Sequence, residues 1–236
     1  MSSLAILLAA GSGQRMQGQV EDKILAPING QPALVYCLNA FARSCIIDRY
    51  LIVYRNEAQK AAIEAILAAH GFSHLKIQSV LGGAERQVSV IRALKAVEEK
   101  YDYVFIHDCA RPCIRTEAIN NVYSAVQEDQ AAALAHPAVD TIKRIETADE
   151  LRKLSLEDLD RSRLWAMETP QAFDYKSILE AYQNVAKRKL TITDDTAAAA
   201  TIGLKTTLVP NKDPNPKLTS PTDLAYIEYL LKIPNS

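Results

Sequence analysis

The stretch LAILLAAGSGQRM, residues 4–16, runs from unbroken apolar residues into small ones and stops at Arg15. The apolar part, Leu4 to Leu8, reads as a buried β-strand. The glycines that follow leave a loop that is almost bare backbone, which lets amide N–H groups approach a polyphosphate. Arg15 adds a guanidinium whose charge is permanent at physiological pH, and Lys23 lies close enough in sequence to reach the same anion. Two familiar phosphate loops do not fit. A Walker loop ends in Gly-Lys-Ser/Thr, which is missing, and a dinucleotide fingerprint needs a third glycine where Met16 stands and an acid near Tyr54 or Arg55. The residues alone leave two readings open, a phosphate cradle or an ordinary strand-to-helix turn with a surface arginine.

Outward from this loop, short β-rich runs alternate with helical patterns, as in a parallel sheet covered on both faces. Pro32 to Arg43 is expected to be helical with proline near its start, YLIVY (50–54) a strand, and Glu57 to His70 a helix stopped by Gly71. LKIQSV (75–80), a helix from Glu85 to Lys100 and the strand YVFIHD (103–108) repeat the pattern. A helix over Thr116 to Glu128, with Thr116 as its cap, precedes a strand in AAALAHPAV (131–139). From Asp140 to Phe173 the alternation breaks, and TIKRIE and RLWAMETPQAF read as two ribbon strands of a projecting arm. An arm unable to bury both faces by itself is expected to dimerise. Helices over Tyr175 to Lys187 and Asp194 to Ile202, the latter capped by Thr193, a strand KTTLV (205–209) and a helix after Pro221 complete the chain. The expected class is α/β: one domain over residues 1–236, a predominantly parallel twisted sheet with helices on both faces, and a β-arm at about 140–173.

Composition narrows the function. With 27 Lys plus Arg against 28 Asp plus Glu, there is no broad positive field to hold nucleic acid. The first apolar run is too short to span a bilayer and lacks a basic leader, so the expected setting is the cytoplasm with no membrane partner. Cys37, Cys45, Cys109 and Cys113 show neither zinc-finger spacing nor disulfide-scaffold density. They are expected to be reduced thiols.

Two further turns follow strands. GGAERQVSV (82–90) opens a helix with Arg86 and Ser89 at its N-terminal end, and HDCARP (107–112) places Asp108 and Arg111 at a strand end. In parallel sheets such turns gather along one edge, where ligands bind. A strand-end carboxylate is a usual oxygen ligand for Mg²⁺ beside substrate phosphates. The plainer readings are normal helix capping for the first turn and an Asp108 to Arg111 salt bridge for the second. For Asp194 and Asp195 the plain reading is a cap and a first-turn acid favourable to the helix dipole.

The ordered set AAGSGQRM, GGAERQVSV, HDCARP, VDTIKR, LWAMETPQAF, TDD (193–195) and DPNPKLTSPTDL resembles the 2-C-methyl-D-erythritol 4-phosphate cytidylyltransferases over nearly the whole chain. The resemblance implies a Rossmann-like nucleotidyltransferase sandwich that uses CTP, methylerythritol phosphate and a divalent cation, Mg²⁺. It implies nucleotide contacts at Ala9, Ala10, Gly11, Gly83, Ala84 and Ser89, and catalytic cations at Arg15 and Lys23. By the same resemblance Asp108, assisted by Asp213, is the metal-side carboxylate. Arg111, Thr141, Thr169 and Lys217 would gather the acceptor, and Arg161 on the arm would reach into the other subunit of a homodimer. The chain departs from the family at Asp22, Lys23 and Ile24, where Pro-Lys-Gln is common, and at Cys109, usually alanine. A ribitol 5-phosphate or related alditol phosphate cytidylyltransferase, or a catalytically silent nucleotide-binding relative, are the alternatives.

Overall fold

A computed structural model describes residues 1–11, 22–146 and 152–233; Arg15 lies outside the described residues. Strand β1 (Ser3–Leu8) alternates its side chains between two cores, with Ala5 and Leu7 in one and Leu4 and Ile6 in the other. That is the period of two expected of a strand covered on both faces. The hairpin of β2 (Pro27–Ile28) and β3 (Gln31–Pro32) precedes helix α1 (Ala33–Ser44), which leads to β4 (Arg49–Tyr54). The chain then runs through α2 (Glu57–Ala69), β5 (Ile77–Leu81), α3 (Arg86–Lys95), β6 (Tyr103–Asp108), α4 (Thr116–Asp129) and β7 (Ala131–Pro137).

Beyond an arm carrying β8 (Lys143–Arg144) and β9 (Glu157–Asp158) come β10 (Trp165–Asp174), α5 (Tyr175–Arg188), α6 (Asp195–Ala200), β11 (Thr207–Pro210) and α7 (Pro221–Leu230). The main sheet is seven-stranded, in the order β11-β7-β10-β6-β1-β4-β5. Neighbours are parallel except where β10 runs antiparallel to β6 and β7. Phe41 of α1, Ile119 and Val122 of α4 and Ile227 of α7 bury against one face. Val90 of α3, Tyr182 and Val185 of α5 and Ala198 of α6 bury against the other. Among the described residues, no helix is long and apolar enough to cross a membrane.

Strands β1, β4 and β5 are laid down in one direction across the sheet, after which the chain returns to place β6 on the far side of β1. That reversal is a topological switch point, where α/β sheets open a crevice at their carboxyl ends. Register puts Leu8 opposite Asp108 there, and the amide of Cys109 donates to the Leu8 carbonyl at 3.1 Å.

Several expectations need correction. LWAMETPQAF is not an arm strand: β10 lies inside the main sheet, and the arm proper is confined to the segment between β7 and β10. Pro170 argues against a central strand because it donates no ladder bond. It is tolerated here because the β7–β10 register shifts between Met167 and Gln171, an irregularity of the kind that re-aims side chains beside active sites. Helix α3 ends at Lys95, not Lys100; Glu99 beyond it is engaged by Arg49 at 3.1 Å and Tyr101 at 2.6 Å. Thr116 starts α4 without capping it, its hydroxyl donating to the Ala40 carbonyl at 3.0 Å. Asp194, not Thr193, caps α6, accepting from the Ala197 amide at 2.9 Å.

All four thiols are free, and Cys45 alone of them is exposed. A bulky thiol reagent is therefore expected to label one cysteine per native chain, at Cys45, and the other three only after unfolding. Rapid native labelling of Cys45→Ser would contradict this packing.

Candidate active site

The carboxyl ends of β1 and β6 and the turn before α3 enclose a cleft of about 500 Å³. Its lining includes Ala10, Gly11, Lys23, Gly83, Ala84, Arg86, Ser89, Asp108 and Lys217. Asp108 forms its floor, with Oδ1 accepting from Arg86 Nε at 3.2 Å and Oδ2 from Lys217 Nζ at 2.6 Å. Burial opposes ionisation of this carboxyl, but Arg86, Lys217 and Arg111 together outweigh it and hold it well below the usual carboxylate range. The site therefore presents a permanent anion clasped by two cations. The Asp108 amide donates to Thr169 Oγ1 at 3.1 Å, and that hydroxyl also bonds buried His107 Nδ1 at 3.0 Å.

The two glycine turns are built differently. Ala9 is buried and its backbone is used inside the protein, its amide donating to the Val53 carbonyl and its own carbonyl accepting from Gln59. Ala10 and Gly11 are the part of the loop that faces the cleft. At the second turn, a Cβ on Gly83 would fall 2.2 Å from Val88 Cγ1, so any side chain there would displace a stiff β-branched neighbour. Ser89 lines the cleft, yet its Oγ accepts from the Gly83 amide at 3.0 Å and donates to the Glu85 carbonyl at 3.1 Å. Its evident work is to hold the turn.

Of the expected cations, Lys23 lines the cleft and donates to the Leu218 carbonyl at 2.9 Å. Asp22 beside it is turned to Arg55 Nη2 at 3.1 Å and Gln59 Nε2 at 2.6 Å. Lys217 lines the cleft and sits against Asp108 Oδ2. Arg111 makes no salt bridge with Asp108; Nη1 and Nη2 donate to the Asn215 and Met167 carbonyls at 2.7 and 3.3 Å, and Nε is buried without a partner. Thr141 and Arg161 are exposed on the arm, Arg161 Nη1 donating to the Val139 carbonyl at 2.9 Å, and neither lines this cleft.

Asp213 also falls outside the lining and pairs with Arg115 at 3.2 Å. It is not brought to Asp108 as expected. Sequence reasoning gave Arg55 no part in a ligand site, placed Arg86 only at a helix start on the ligand-binding edge and read Asp195 as a helix-start acid; the structure makes all three central. Arg55 lines the cleft and donates to the Gly11 carbonyl at 3.0 Å. Asp195, read as a first-turn acid, is fully buried and receives Arg86 Nη1 and Nη2 at 2.9 and 2.6 Å. The signal was the pairing of an arginine at a helix start with an acid in the TDD stretch, which no spacing rule links.

The donor set suits one hard cation shared with a ligand. Mg²⁺ takes one or two carboxylates and completes its shell with water and phosphate oxygens; Asp108 is one ionised carboxylate facing a cleft with amides and cations for phosphates. Among the described residues no three His, Cys, Asp or Glu side chains form an all-protein cage. A second cavity of about 430 Å³ holds Arg43 and Arg115 but neither a carboxylate nor a glycine turn, so the chemistry is assigned to the switch-point cleft.

A mostly parallel open sheet with glycine turns and a cation-clasped aspartate at its switch point defines an α/β nucleotidyltransferase. The model of the 2-C-methyl-D-erythritol 4-phosphate cytidylyltransferase family matches residues 3–233, and the chain belongs to that family. It is 37% identical over 229 residues to the enzyme of that name from Clostridium beijerinckii, covering 97% of each chain. It is 38% identical over 228 residues to the one from Clostridium acetobutylicum, covering 97% of this chain and 96% of that one. Among solved structures, the 4-diphosphocytidyl-2C-methyl-D-erythritol synthase of Anaerococcus prevotii superposes with a TM-score of 0.84 at 25% identity, over 98% of this chain and 99% of that one.

Because Asp108 is held ionised, its contribution to stability has a defined sign. A carboxyl with a lowered folded-state pKa stabilises the fold fully above the ordinary value of 3.8 and loses that contribution as pH falls toward the folded value. Asp108→Asn is therefore expected to flatten the acid-side loss of stability, read as Tm against pH from 6 to 2. The acid limb of the wild-type rate profile should not belong to Asp108. An unaltered acid profile in the variant would contradict the clasp.

Proposed function

We propose that this cleft carries out the family's reaction, transfer of the cytidylyl group of CTP to 2-C-methyl-D-erythritol 4-phosphate, in the cytoplasm and with Mg²⁺. The observation that carries the reading is the convergence of Asp108, Arg86, Lys217, Lys23 and two glycine turns on one switch-point cleft. The acceptor's phosphate oxygen forms a bond to the α-phosphorus, the bond from that phosphorus to the bridging oxygen breaks, and pyrophosphate leaves with the electron pair. No side-chain nucleophile is needed, so the residues align two phosphates and offset charge on the five-coordinate phosphorus.

Roles follow from position. Amides at Ala10 and Gly11 face the triphosphate and Lys23 neutralises it; Arg15, outside the described residues, takes the same role by the family resemblance. The Gly83–Ala84 turn, packed so closely on Val88 of α3 that Gly83 carries no side chain without displacing it, gives a backbone wall against the cytosine and ribose. Ser89 fixes that wall. Asp108 would hold Mg²⁺, which supplies charge neutralisation between the phosphates. Lys217, already against Asp108, is in position to meet the α-phosphate or the acceptor phosphate.

We further propose a homodimer joined through the arm, with Thr141 and Arg161 completing the partner's acceptor site. Val139, Ile142 and Leu156 leave large apolar surface exposed on this one short arm, and its β8–β9 ladder of two residues on each strand is too small to be stable alone. Cross-strand pairs Lys143–Asp158 and Arg144–Glu157 fix its register. Arg111 and Thr169, whose visible bonds are to the protein's own backbone and to His107, support the floor beneath the acceptor.

Pyrophosphate release from CTP and Mg²⁺ should require methylerythritol phosphate; release only with ribitol 5-phosphate would replace this reading with the alditol enzyme, and tight CTP binding without turnover on either would favour a silent relative. Lys217→Ala and Arg15→Ala should each lower kcat/KM by the equivalent of about 2–4 kcal/mol, the range for losing one preorganised charge-stabilising donor. Unchanged rates would remove them from the site.

Composite sites make a separate expectation. Arg161→Ala should impair acceptor use while CTP binding survives, and mixing it with inactive Lys217→Ala should restore part of the activity through hybrid dimers. No recovery under demonstrated subunit exchange would contradict a shared site.

A further inference from the structure

Asp195 lies outside the cleft lining and is fully buried, yet it ends a chain of alternating charge that reaches the reactive floor: Asp195, Arg86, Asp108, Lys217. Its own position is over-determined. Tyr182, itself buried, donates its hydroxyl to Oδ1 at 2.5 Å. The amides of Asp195 and Thr196 donate to Gln171 Oε1 at 3.1 and 3.2 Å. Gln171 in turn donates through Nε2 to Asp194 Oδ2 at 2.9 Å, tying the start of α6 to β10. Asp195 is therefore a fixed anion in a dry place, aimed at one arginine.

The arginine has two kinds of N–H to offer. Its fork, Nη1 and Nη2, matches a carboxylate in a bidentate pair, the strongest and most directional arrangement a guanidinium makes. Here Asp195 takes the fork, and only Nε is left for Asp108 Oδ1. Were Asp195 uncharged, the same mostly buried cation would have Asp108 as its sole anionic partner and would turn its fork onto it. That would engage both Asp108 oxygens, compete with Lys217 for Oδ2 and reduce the carboxylate's capacity for an incoming cation.

We propose that Asp195 is a positioning residue for cytidylyl transfer: by occupying the fork of Arg86 it limits that arginine to one N–H on Asp108 and keeps the carboxylate available to the divalent cation that accompanies CTP. The inference rests on the reading of Asp108 as the metal-side carboxylate. It is the outer-shell logic of metal sites, in which partners behind the ligand set its orientation and typically change metal affinity or activity about 10–100-fold when removed.

The test compares Asp195→Asn, which keeps the volume and removes the charge, with Arg86→Gln, the double variant and Tyr182→Phe, each first checked for a cooperative thermal transition. Mn²⁺ affinity in the presence of CTP, read by electron paramagnetic resonance without turnover, should fall about 10–100-fold in Asp195→Asn. The Mg²⁺ concentration for half-maximal rate should rise by a similar factor, with KM for the acceptor within about twofold. Because Asp195 acts through Arg86, the double variant should lose no more than Arg86→Gln alone, whereas independent sites would add. Tyr182→Phe, which removes one hydrogen bond and no charge, should shift the metal dependence in the same direction by a few-fold, and it carries the test if Asp195→Asn does not fold. Wild-type metal affinity in folded Asp195→Asn or Tyr182→Phe, or additive losses in the double variant, would overturn the proposal. Failure of the wild-type chain to use methylerythritol phosphate would instead sink the functional reading, and the Mn²⁺–CTP titration would still decide the role of Asp195.

Discussion

The carboxylate of Asp108 held between Arg86 and Lys217 is the contact on which the site depends. Each of the three residues comes from a different part of the chain: the end of β6, the start of α3 and the segment between β11 and α7. The ion pairs therefore tie three separate elements to one point on the sheet edge. Partly buried ion pairs gain little net stability when made but cost more when one partner is removed. The more reasonable role for this set is to specify geometry, fixing where one oxygen-bearing group stands relative to a phosphate-sized cleft.

Sheet topology decides why that point is where it is. The reversal of strand order at β1 opens a crevice between the ends of β1 and β6, and the Leu8–Asp108 register brings the first glycine loop and the aspartate to the same level. The glycine turn before α3 closes a third side, pressed so tightly on Val88 that no side chain fits at Gly83. The irregular stretch of β10 completes the floor, placing Thr169 under the Asp108 amide and burying Glu168, which accepts from Asn211 at 2.9 Å and Asn215 at 2.8 Å. Asn215 is two residues from Lys217, so the same bulge that interrupts the ladder also anchors the segment carrying one of the cations.

Much of this was legible in the residues. The alternation of strands and helices, the glycine turns and the aspartate at the end of YVFIHD follow from local pattern, which reaches six of the sheet's seven strands and the three turns that meet at the cleft. What escaped were features set by contacts distant in sequence. β10 looked like part of an arm because its proline and polar residues are accommodated by neighbours on both sides, which no window of sequence displays. Asp195 looked like a first-turn acid because its partner, Arg86, is more than a hundred residues away. Asp213 was expected beside Asp108 by resemblance and pairs with Arg115, a choice made by the path of the chain between Val209 and Lys217.

The most direct measurement is a crystal structure of the chain with CTP and Mg²⁺. The triphosphate should lie along Ala10, Gly11 and Lys23, the cytosine against Gly83 and Ala84, and the cation on Asp108. A nucleotide seated in the cavity between Arg43 and Arg115, or a cation bound away from Asp108, would contradict the assignment at its root.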